Sequence, residues 1–599
     1  MPEQPGPTLA YIPELLELIG HRLAVPQLAC CARTCKLWHQ ILTPLLWETF
    51  DDSRYQWPRI LPGLYYESAS NRDRLDKAWL DGLFAKYGRY IRTLRVQWCA
   101  TVFAATSYGV CTQLESLQTL DFNRTTTFRR TRGWSDADAD ADAAAVLPIL
   151  EDAIGMPSWA LKSELFREMD VKAVRRLWTL IYDNSSTLRF LRLDQSLGGL
   201  CSFRTFDPQH HILFGLQNLK EMDNSQCPMN LDLVLQRLPH LRSIRGKFIN
   251  NTSTTPYSNL RSLNSIFALD PPTVRMYLQK FPNLNSLSMD QLAEVPRATT
   301  TTPLHQVQEN NIVYQLKEFR FTNPQGLLVR ESAKRVITWL PYLTHITLNT
   351  LFLETAEHLA EHCKHLESFR QVGDWKVNDG SYMTNTVIKL LAACPKLKIL
   401  DTIQHQVTAH ALLTGPLWVC HGLETFRCQI VGIPQLTESS CQTLRILASS
   451  KSSSNVFLTP QARHALRMSR GTMEQQQRIL ERFARLTRLK VLELSLKVPC
   501  YLSRYEYVDY RIDTLALTLD SGLGQLAALS DLEMFGFEGC YHAIGLPELQ
   551  WMIQNWPRLK AMRGLQKNGL PDSPFEVRKA WLRDYMKRQR PDIQQQGEK

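Results

Sequence analysis

The sequence predicts an α/β protein, with a short helical segment at the N-terminus followed by a curved solenoid of repeats. The strands are expected on the concave side of the solenoid and the helices on the convex side. Apolar residues recur at helical spacing from Ile12 to Trp47. Beyond them, the pattern apolar-x-x-Leu-x-x-apolar-x-apolar recurs as far as the C-terminal region. One helix–turn–strand unit cannot bury its apolar face alone, but stacked copies can.

Composition narrows the class of protein. The chain has 599 residues, 44% of them apolar, so it is long enough for several domains or one long repeat array. Its net charge of +11 is spread thinly and does not by itself indicate nucleic-acid binding. The 14 cysteines include no C-x-x-C pair, no secretory signal precedes them, and no uncharged run is apolar enough to span a membrane. We therefore expect reduced, mostly buried cysteines in a cytoplasmic or nuclear protein.

The N-terminal segment is expected to form helices joined by a bend. Pro13 suits the first position of a helix, where its missing N–H has no consequence. The chain bends near Gly20 to Pro26, and Pro26 suits a second helix start. Apolar positions mark one face of a first helix (Leu15, Leu16 and Ile19) and one face of a single second helix (Leu28, Cys31, Cys35, Trp38 and Leu42). So short a segment cannot bury a good core alone and needs a partner or the following domain.

Three parts of this segment resemble an F-box: Ile12-Pro13-Glu14-Leu15-Leu16, Cys35-Lys36-Leu37-Trp38 and Leu46-Trp47. Gly20-His21-Arg22 departs from the more usual bulky and polar run before Leu23. The resemblance implies docking to the Skp-type adaptor of a cullin–RING ubiquitin ligase. The expected adaptor contacts form a mainly apolar patch of Ile12, Pro13, Leu15, Leu16, Ile19, Leu28, Trp38 and Leu46. The alternative is an ordinary helical hairpin that caps the next domain.

The repeat pattern has about fourteen copies. The clearest begin at Leu238, Phe281, Leu340, Cys363, Cys394, Cys420, Leu486, Leu526 and Trp556, and weaker ones at Ile91, Leu117, Leu188, Leu219 and Leu316. The last apolar pair of each copy alternates with polar residues, as in a short strand, and a helical stretch precedes many copies. The pattern resembles the long, irregular leucine-rich repeats of F-box proteins, with the Cys-Pro-x-Leu start intact at Cys394–Leu397. The alternative is an unrelated α/β domain.

These patterns divide the chain into four parts. We expect an F-box at residues 8–50, a connector with a helix at 51–88, the solenoid at 89–570, and a basic helical and then disordered tail at 571–599. Insertions near residues 124–159, 297–311 and 451–477 are expected to leave the solenoid as loops, the last containing helix-forming sequence.

Signals of catalysis are weak. Gly522-Leu523-Gly524 resembles part of a dinucleotide fingerprint, but the following leucines fall into the repeat register. Asp136–Asp142 alternates like a calcium loop but lacks the required glycine and final glutamate. Cys30, Cys31 and Cys35 could suggest a metal, although core packing of Cys31 and Cys35 is the better interpretation. We predict no enzyme activity, no cofactor and no metal site.

One position of each repeat is expected to face the concave side, because it lies between the last two apolar residues. We call it the ladder position. Copy by copy it holds Arg95, Asp121, Arg192, Asp223, Arg245, Ser288, Arg320, Thr347, Arg370, Asp401, Arg427, Glu493, Glu533 and Arg563. Guanidinium groups suit carboxylates and phosphates, so an acidic or phosphorylated target could bind here. The candidate target contacts are Arg192, Arg245, Arg320, Arg370 and Arg427. A solvated face with Arg–Asp pairs between strands is the favoured alternative.

The sequence therefore predicts an adaptor. The F-box resemblance implies a substrate-recognition subunit of a Skp–cullin–F-box ubiquitin ligase, in which the repeats hold an unknown target protein. The alternative is a leucine-rich-repeat scaffold that uses an F-box without ubiquitin transfer. No membrane partner is expected, and nucleic acid is an unlikely one.

Overall fold

The computed structural model describes residues 13–52, 77–96, 99–107, 109–119, 176–177, 179–193, 216–249, 255–292, 314–321, 330–348, 353–371, 380–433, 460–494, 514–538, 540, 544–565 and 574–595. The chain forms two compact units, Met1–Phe267 and Ala268–Lys599. None of the described helices combines the length and apolar character that crossing a bilayer requires.

The first unit begins with three helices and continues as a series of parallel strands. Its elements are α1 (Pro13–Gly20), α2 (Val25–Cys31), α3 (Lys36–Trp47), β1 (Thr49–Asp51), α4 (Lys77–Tyr87), a 3₁₀ turn (Gly88–Tyr90), β2 (Thr93–Val96), α5 (Cys99–Ser107), β3 (Ser116–Thr119), β4 (Phe190–Arg192), β5 (Glu221–Asn230), α6 (Leu231–Arg237), β6 (Ser243–Ile249) and β7 (Ser262–Leu269), which begins in this unit. Each strand from β1 to β7 pairs in parallel with the next one along the chain.

The second unit repeats the same arrangement. Its elements are α7 (Pro271–Lys280), β8 (Ser286–Leu292), β9 (Glu318–Phe321), α8 (Arg330–Thr338), β10 (His345–Leu348), α9 (Leu353–His362), β11 (Ser368–Gln371), α10 (Gly380–Ala393), β12 (Ile399–Thr408), α11 (Ala409–Thr414), β13 (Thr425–Val431), α12 (Pro460–Ala484), β14 (Val491–Glu493), a 3₁₀ helix (Leu523–Ala528), β15 (Met534–Gly536), α13 (Leu546–Asn555), β16 (Ala561–Arg563), α14 (Pro574–Gln589) and β17 (Gln594–Gln595). Strands β8 to β17 also pair in parallel in chain order. The predicted α/β solenoid is confirmed.

Each strand from β2 to β16 places an apolar side chain in the interior. In the first unit these are Leu94, Leu117, Leu191, Met222, Ile244 and Leu263, and in the second Leu287, Phe319, Ile346, Phe369, Leu400, Phe426, Leu492, Phe535 and Met562. All are buried, and each contributes about 1.5–3 kcal/mol of transfer free energy. The predicted leucine template therefore identified most of the residues that form the core.

The register of two copies was wrong. The copy predicted from Leu117 starts at Leu114, so the ladder position is Gln118, which pairs with Arg95 and Arg192. In the copy predicted from Leu526, Gly536 and not Glu533 holds the ladder position. Leucines three residues apart fit two registers equally well in the sequence, and strand pairing selects one. Asp121, the ladder residue predicted for the first of these copies, lies outside the described residues.

Other differences concern short or irregular elements. Strands β1, β7 and β17 were not predicted, and β17 shows that the tail pairs with β16 where it was expected to fray. Residues 460–477, the helix-forming part of the third predicted insertion, lie in the 25-residue helix α12. The insertions at 124–159 and 297–311 lie outside the described residues.

Three cysteines occupy one equivalent position of successive repeats. Cys363, Cys394 and Cys420 each precede a buried leucine by three residues and are themselves fully buried. Burial raises the pKa of the Cys363 and Cys420 thiols to about 12 and that of Cys394 to about 11. Cys111, Cys428 and Cys540 are also buried, in agreement with the prediction that most cysteines are buried.

Thiol labelling should separate the buried cysteines from the exposed ones. At about pH 8, fewer than about one in a thousand of the Cys363, Cys394 and Cys420 thiols would be ionised, and only the thiolate reacts. We expect iodoacetamide to modify the exposed Cys30 and Cys35 in the folded protein, while the other three react only after unfolding. Peptide mass spectrometry measures each site. Labelling of Cys394 as fast as Cys35 would contradict the burial.

Candidate binding surfaces

The first three helices form a small layer with its own apolar centre. Helices α1 and α2 both pack on α3, and Leu28, Ala32 and Leu42 form the core. Gly20 is the last residue of α1, and the space beside it is tight. A Cβ at this position would lie 2.6 Å from Leu45 Cδ1 and 2.9 Å from Leu42 Cδ2. The glycine at this unusual position of the motif therefore permits the close approach of α1 to α3.

The predicted single helix from Leu28 to Leu42 was wrong. Helix α2 ends at Cys31 and α3 begins at Lys36, with Cys35 in an extended conformation between them. The Thr34 hydroxyl donates to the carbonyl of Cys31, which closes the turn. Apolar spacing continues through this break, so periodicity alone did not reveal it. Cys35 is exposed and does not share the apolar face.

The predicted adaptor contacts differ in how much of their surface is exposed to solvent. Leu16 and Leu28 are buried, with 2% and 6% of their surface exposed. Leu15, Trp38 and Leu46 are half-buried, Pro13 and Ile19 are exposed, and Ile12 lies outside the described residues.

Leu18 was missed by the sequence reasoning. It is 66% exposed, and its neighbour Ile19 is 49% exposed, so α1 presents an apolar pair to solvent. Leu18 lies off the face defined by Leu15, Leu16 and Ile19. An apolar residue on the otherwise polar side of an amphipathic helix is the signal that could have identified it.

The helical layer continues into the sheet without a linker. Strand β1 begins two residues after Trp47, where the sequence was interpreted as the end of the F-box and the start of a connector. The Glu48 carbonyl accepts hydrogen bonds from the backbone N–H groups of Arg92 and Thr93, both at 2.9 Å. The Trp47 ring stacks on Tyr87 with centroids 4.6 Å apart. The first strand of the solenoid is therefore a direct extension of α3.

Ion pairs link the ladder positions of the first unit. Arg95 Nη1 lies 3.3 Å from Asp51 Oδ2 on the neighbouring strand. Asp223 contacts the arginines on both sides of it, with Arg192 Nε at 3.4 Å and Arg245 Nη1 at 3.9 Å from its Oδ2. These pairs match the alternative interpretation of the predicted arginine positions.

A longer chain of charges runs through the second unit. Arg427 lies between Asp401, at 3.3 Å, and Glu493, at 3.2 Å. Arg563 Nη1 donates to Glu493 Oε1 at 2.9 Å, although β15 separates their strands. Gly536 is the intervening ladder residue, and because it has no side chain the guanidinium crosses above it. Burial raises the pKa of Glu493, and Arg563 and Arg427 oppose that rise.

Four of the five predicted target contacts already have carboxylate neighbours. Arg192, Arg245 and Arg427 pair across strands, and Arg320 pairs with Glu318 on its own strand. Arg370 lies between Thr347 and Asp401 in the ladder and is exposed. Within the described residues it has no ion-pair partner. Arg370 is therefore the ladder arginine that is most available to another molecule.

Comparisons with known proteins agree with the N-terminal motif. Residues 13–53 match the family model described as F-box-like. The chain thus carries an F-box-like domain at the start of a solenoid of parallel strands that is built on the leucine template. Both parts are interaction modules, which supports a protein-binding adaptor role. The comparison with curated proteins gave no match.

Two solved structures show a weak similarity to this chain. An internalin from Listeria monocytogenes is 14% identical, with 59% of this chain and 75% of that chain covered and a TM-score of 0.30. A leucine-rich-repeat protein of Leptospira interrogans is also 14% identical, with 70% and 98% covered and a TM-score of 0.31. Because these scores are low, the fold assignment rests on the strand pairing described above.

Removing Glu493 should destabilise the second unit. Glu493→Ala leaves Arg427 and Arg563 without their shared buried carboxylate, so we expect the free energy of unfolding to fall by about 2–4 kcal/mol. Asp531→Ala is the matched control, since Asp531 pairs with Arg558 at an exposed site, and should cost less than about 1 kcal/mol. Urea titrations followed by circular dichroism measure both. Equal midpoints for the two variants would contradict the role of Glu493.

Proposed function

We propose that this protein is the substrate-recognition subunit of a Skp–cullin–F-box ubiquitin ligase, acting in the cytoplasm or nucleus. In this proposal α1 docks to the Skp-type adaptor, which connects the chain to a cullin. The solenoid binds a target protein. The F-box-like match at residues 13–53 supports the docking, and the exposed Leu18–Ile19 pair supplies the apolar surface that such a contact needs.

The proposed docking patch consists of Leu18 and Ile19, with Leu15 and Pro13 beside them on α1. Leu16 and Leu28 are proposed to act indirectly, since both are buried and hold the helices in place. A side chain with about half or more of its surface exposed gains hydrophobic free energy when a partner covers it. The patch therefore offers binding energy that the isolated chain does not use.

The chemical role of this protein is to provide proximity. A rigid scaffold that holds a target near the ubiquitin-loading enzyme raises the effective concentration of the target's lysines. The ladder face is the proposed target surface, with Arg370 the predicted contact that has no ion pair within the described residues. No residue of this chain is required to take part in bond formation.

Charging the α1 patch should abolish docking without unfolding the chain. We expect Leu18→Asp with Ile19→Asp to weaken capture of the Skp-type adaptor at least about 100-fold, because two carboxylates would have to be desolvated in the contact. Co-purification and calorimetric titration measure the loss. The matched control is Leu417→Asp, an equally exposed leucine of the second unit, which should bind the adaptor like wild type.

The same experiment separates the two adaptor hypotheses. Recovery of a cullin with the wild-type chain, and its loss with the double variant, would support a ligase subunit. Adaptor binding without cullin recovery would favour a scaffold that lacks ubiquitin transfer. Undiminished adaptor capture by a folded double variant would refute the assignment of the α1 patch.

A further inference from the structure

A row of positive charge lies along one edge of the first unit. Arg189, Lys220, Arg242 and Arg261 each immediately precede a strand, β4 to β7 in turn. Their backbones are joined directly: Lys220 N–H donates to the Arg189 carbonyl at 2.8 Å, Arg242 N–H to Lys220 at 2.7 Å, and Arg261 N–H to Arg242 at 2.7 Å. All four residues are exposed. We call them the cation row.

Side chains that immediately precede a strand can contact the equivalent side chain of the neighbouring repeat. At one end of the row, Glu115 contacts Arg92 at 3.5 Å and Arg189 at 3.6 Å. In the second unit, the residues that immediately precede β11 to β16 alternate between glutamate and lysine, and they form ion pairs between neighbouring repeats. The pairs are Lys398–Glu367 at 2.7 Å, Lys490–Glu424 at 2.7 Å and Lys560–Glu533 at 2.9 Å. The fold therefore accommodates neutralising partners at this position.

The middle of the cation row lacks that neutralisation. Within the described chain, neither Lys220 nor Arg242 has a carboxylate at ion-pair distance. Like charges on adjacent strands repel one another, so four successive cations are less favourable than the alternation of the second unit. The excess positive charge favours an anionic ligand.

A cleft extends from the start of the row. It has a volume of ≈ 440 Å³, is half open to solvent, and is lined in part by Arg92, Glu115, Thr187, Arg189, Asn218 and Lys220. Asn218 Nδ2 donates to the Ser186 carbonyl at 2.6 Å, which orders the cleft wall. The Thr187 hydroxyl donates to the Leu114 carbonyl at 2.8 Å on the preceding coil. The cleft thus places hydroxyl and amide groups beside the cations in an ordered arrangement.

We propose that the cation row binds an extended acidic segment of a partner protein. The row spans three strand spacings, about 14 Å, which an extended peptide covers with about five residues. No aromatic ring belongs to the row or the cleft lining, so the stacking platform typical of single-stranded nucleic-acid binding is missing there. This surface is separate from α1 and from the ladder positions.

Peptide binding tests the proposal on the full chain. The probes are short fluorescein-labelled peptides, one alternating glutamate with alanine and one carrying phosphoserine in place of glutamate. We expect both to bind, more weakly as salt is raised, and to bind about tenfold more weakly to Arg189→Ala/Lys220→Ala/Arg242→Ala. The matched control, Lys398→Ala/Lys490→Ala/Lys560→Ala, removes the same charge and should bind within about twofold of wild type.

Each other outcome has a defined meaning. Equal weakening in both triple variants, or no binding by either peptide, would overturn the proposal. A single-stranded oligonucleotide that binds more tightly than both peptides would assign the row to nucleic acid and also overturn it. Preference for one peptide identifies carboxylate or phosphate as the anion and supports it. Because the measurement uses no Skp-type adaptor, its result is independent of docking at α1.

Discussion

The backbone contact between successive coils is the constraint on which the rest of the structure depends. From β1 to β7, and again from β8 to β16, one carbonyl before each strand accepts two N–H groups from the next repeat. Glu367, for example, accepts from Lys398 at 2.7 Å and from Ile399 at 3.0 Å. Within each of these two runs the shared acceptor aligns the starts of the strands, so residues at equivalent repeat positions lie side by side. The buried leucine column, the ladder charges and the cation row all follow from that alignment.

Much of the fold could be predicted because a buried column requires one residue type at a fixed position. The leucine template located most of the strands, and Arg95, Arg192, Arg245 and Arg427 occupy the predicted ladder positions. The template failed where leucines three residues apart allowed two registers, as at Leu526. It also failed at β1, which has three residues and no leucine of its own. Local periodicity contains no information about such pairings.

The candidate sites were harder to predict than the fold, since exposure depends on tertiary packing. An F-box-like helix shows apolar residues on two sides, and the sequence does not state which side α3 will cover. Leu16 is buried whereas Leu18 is exposed, two residues away on the same helix. The partners of the ladder arginines also depend on register. Arg563 reaches Glu493 only because Gly536 lies between them, and that glycine was assigned to no ladder position in the sequence.

The direct passage from α3 into β1 has a mechanical consequence. The Glu48 carbonyl is hydrogen-bonded to Arg92 and Thr93, and the Trp47 ring stacks on Tyr87. These contacts restrict rotation of the N-terminal helices relative to the first strands. Any partner held by α1 would turn together with β1 and β2. The direction in which the first repeats face would then be determined by the docking geometry.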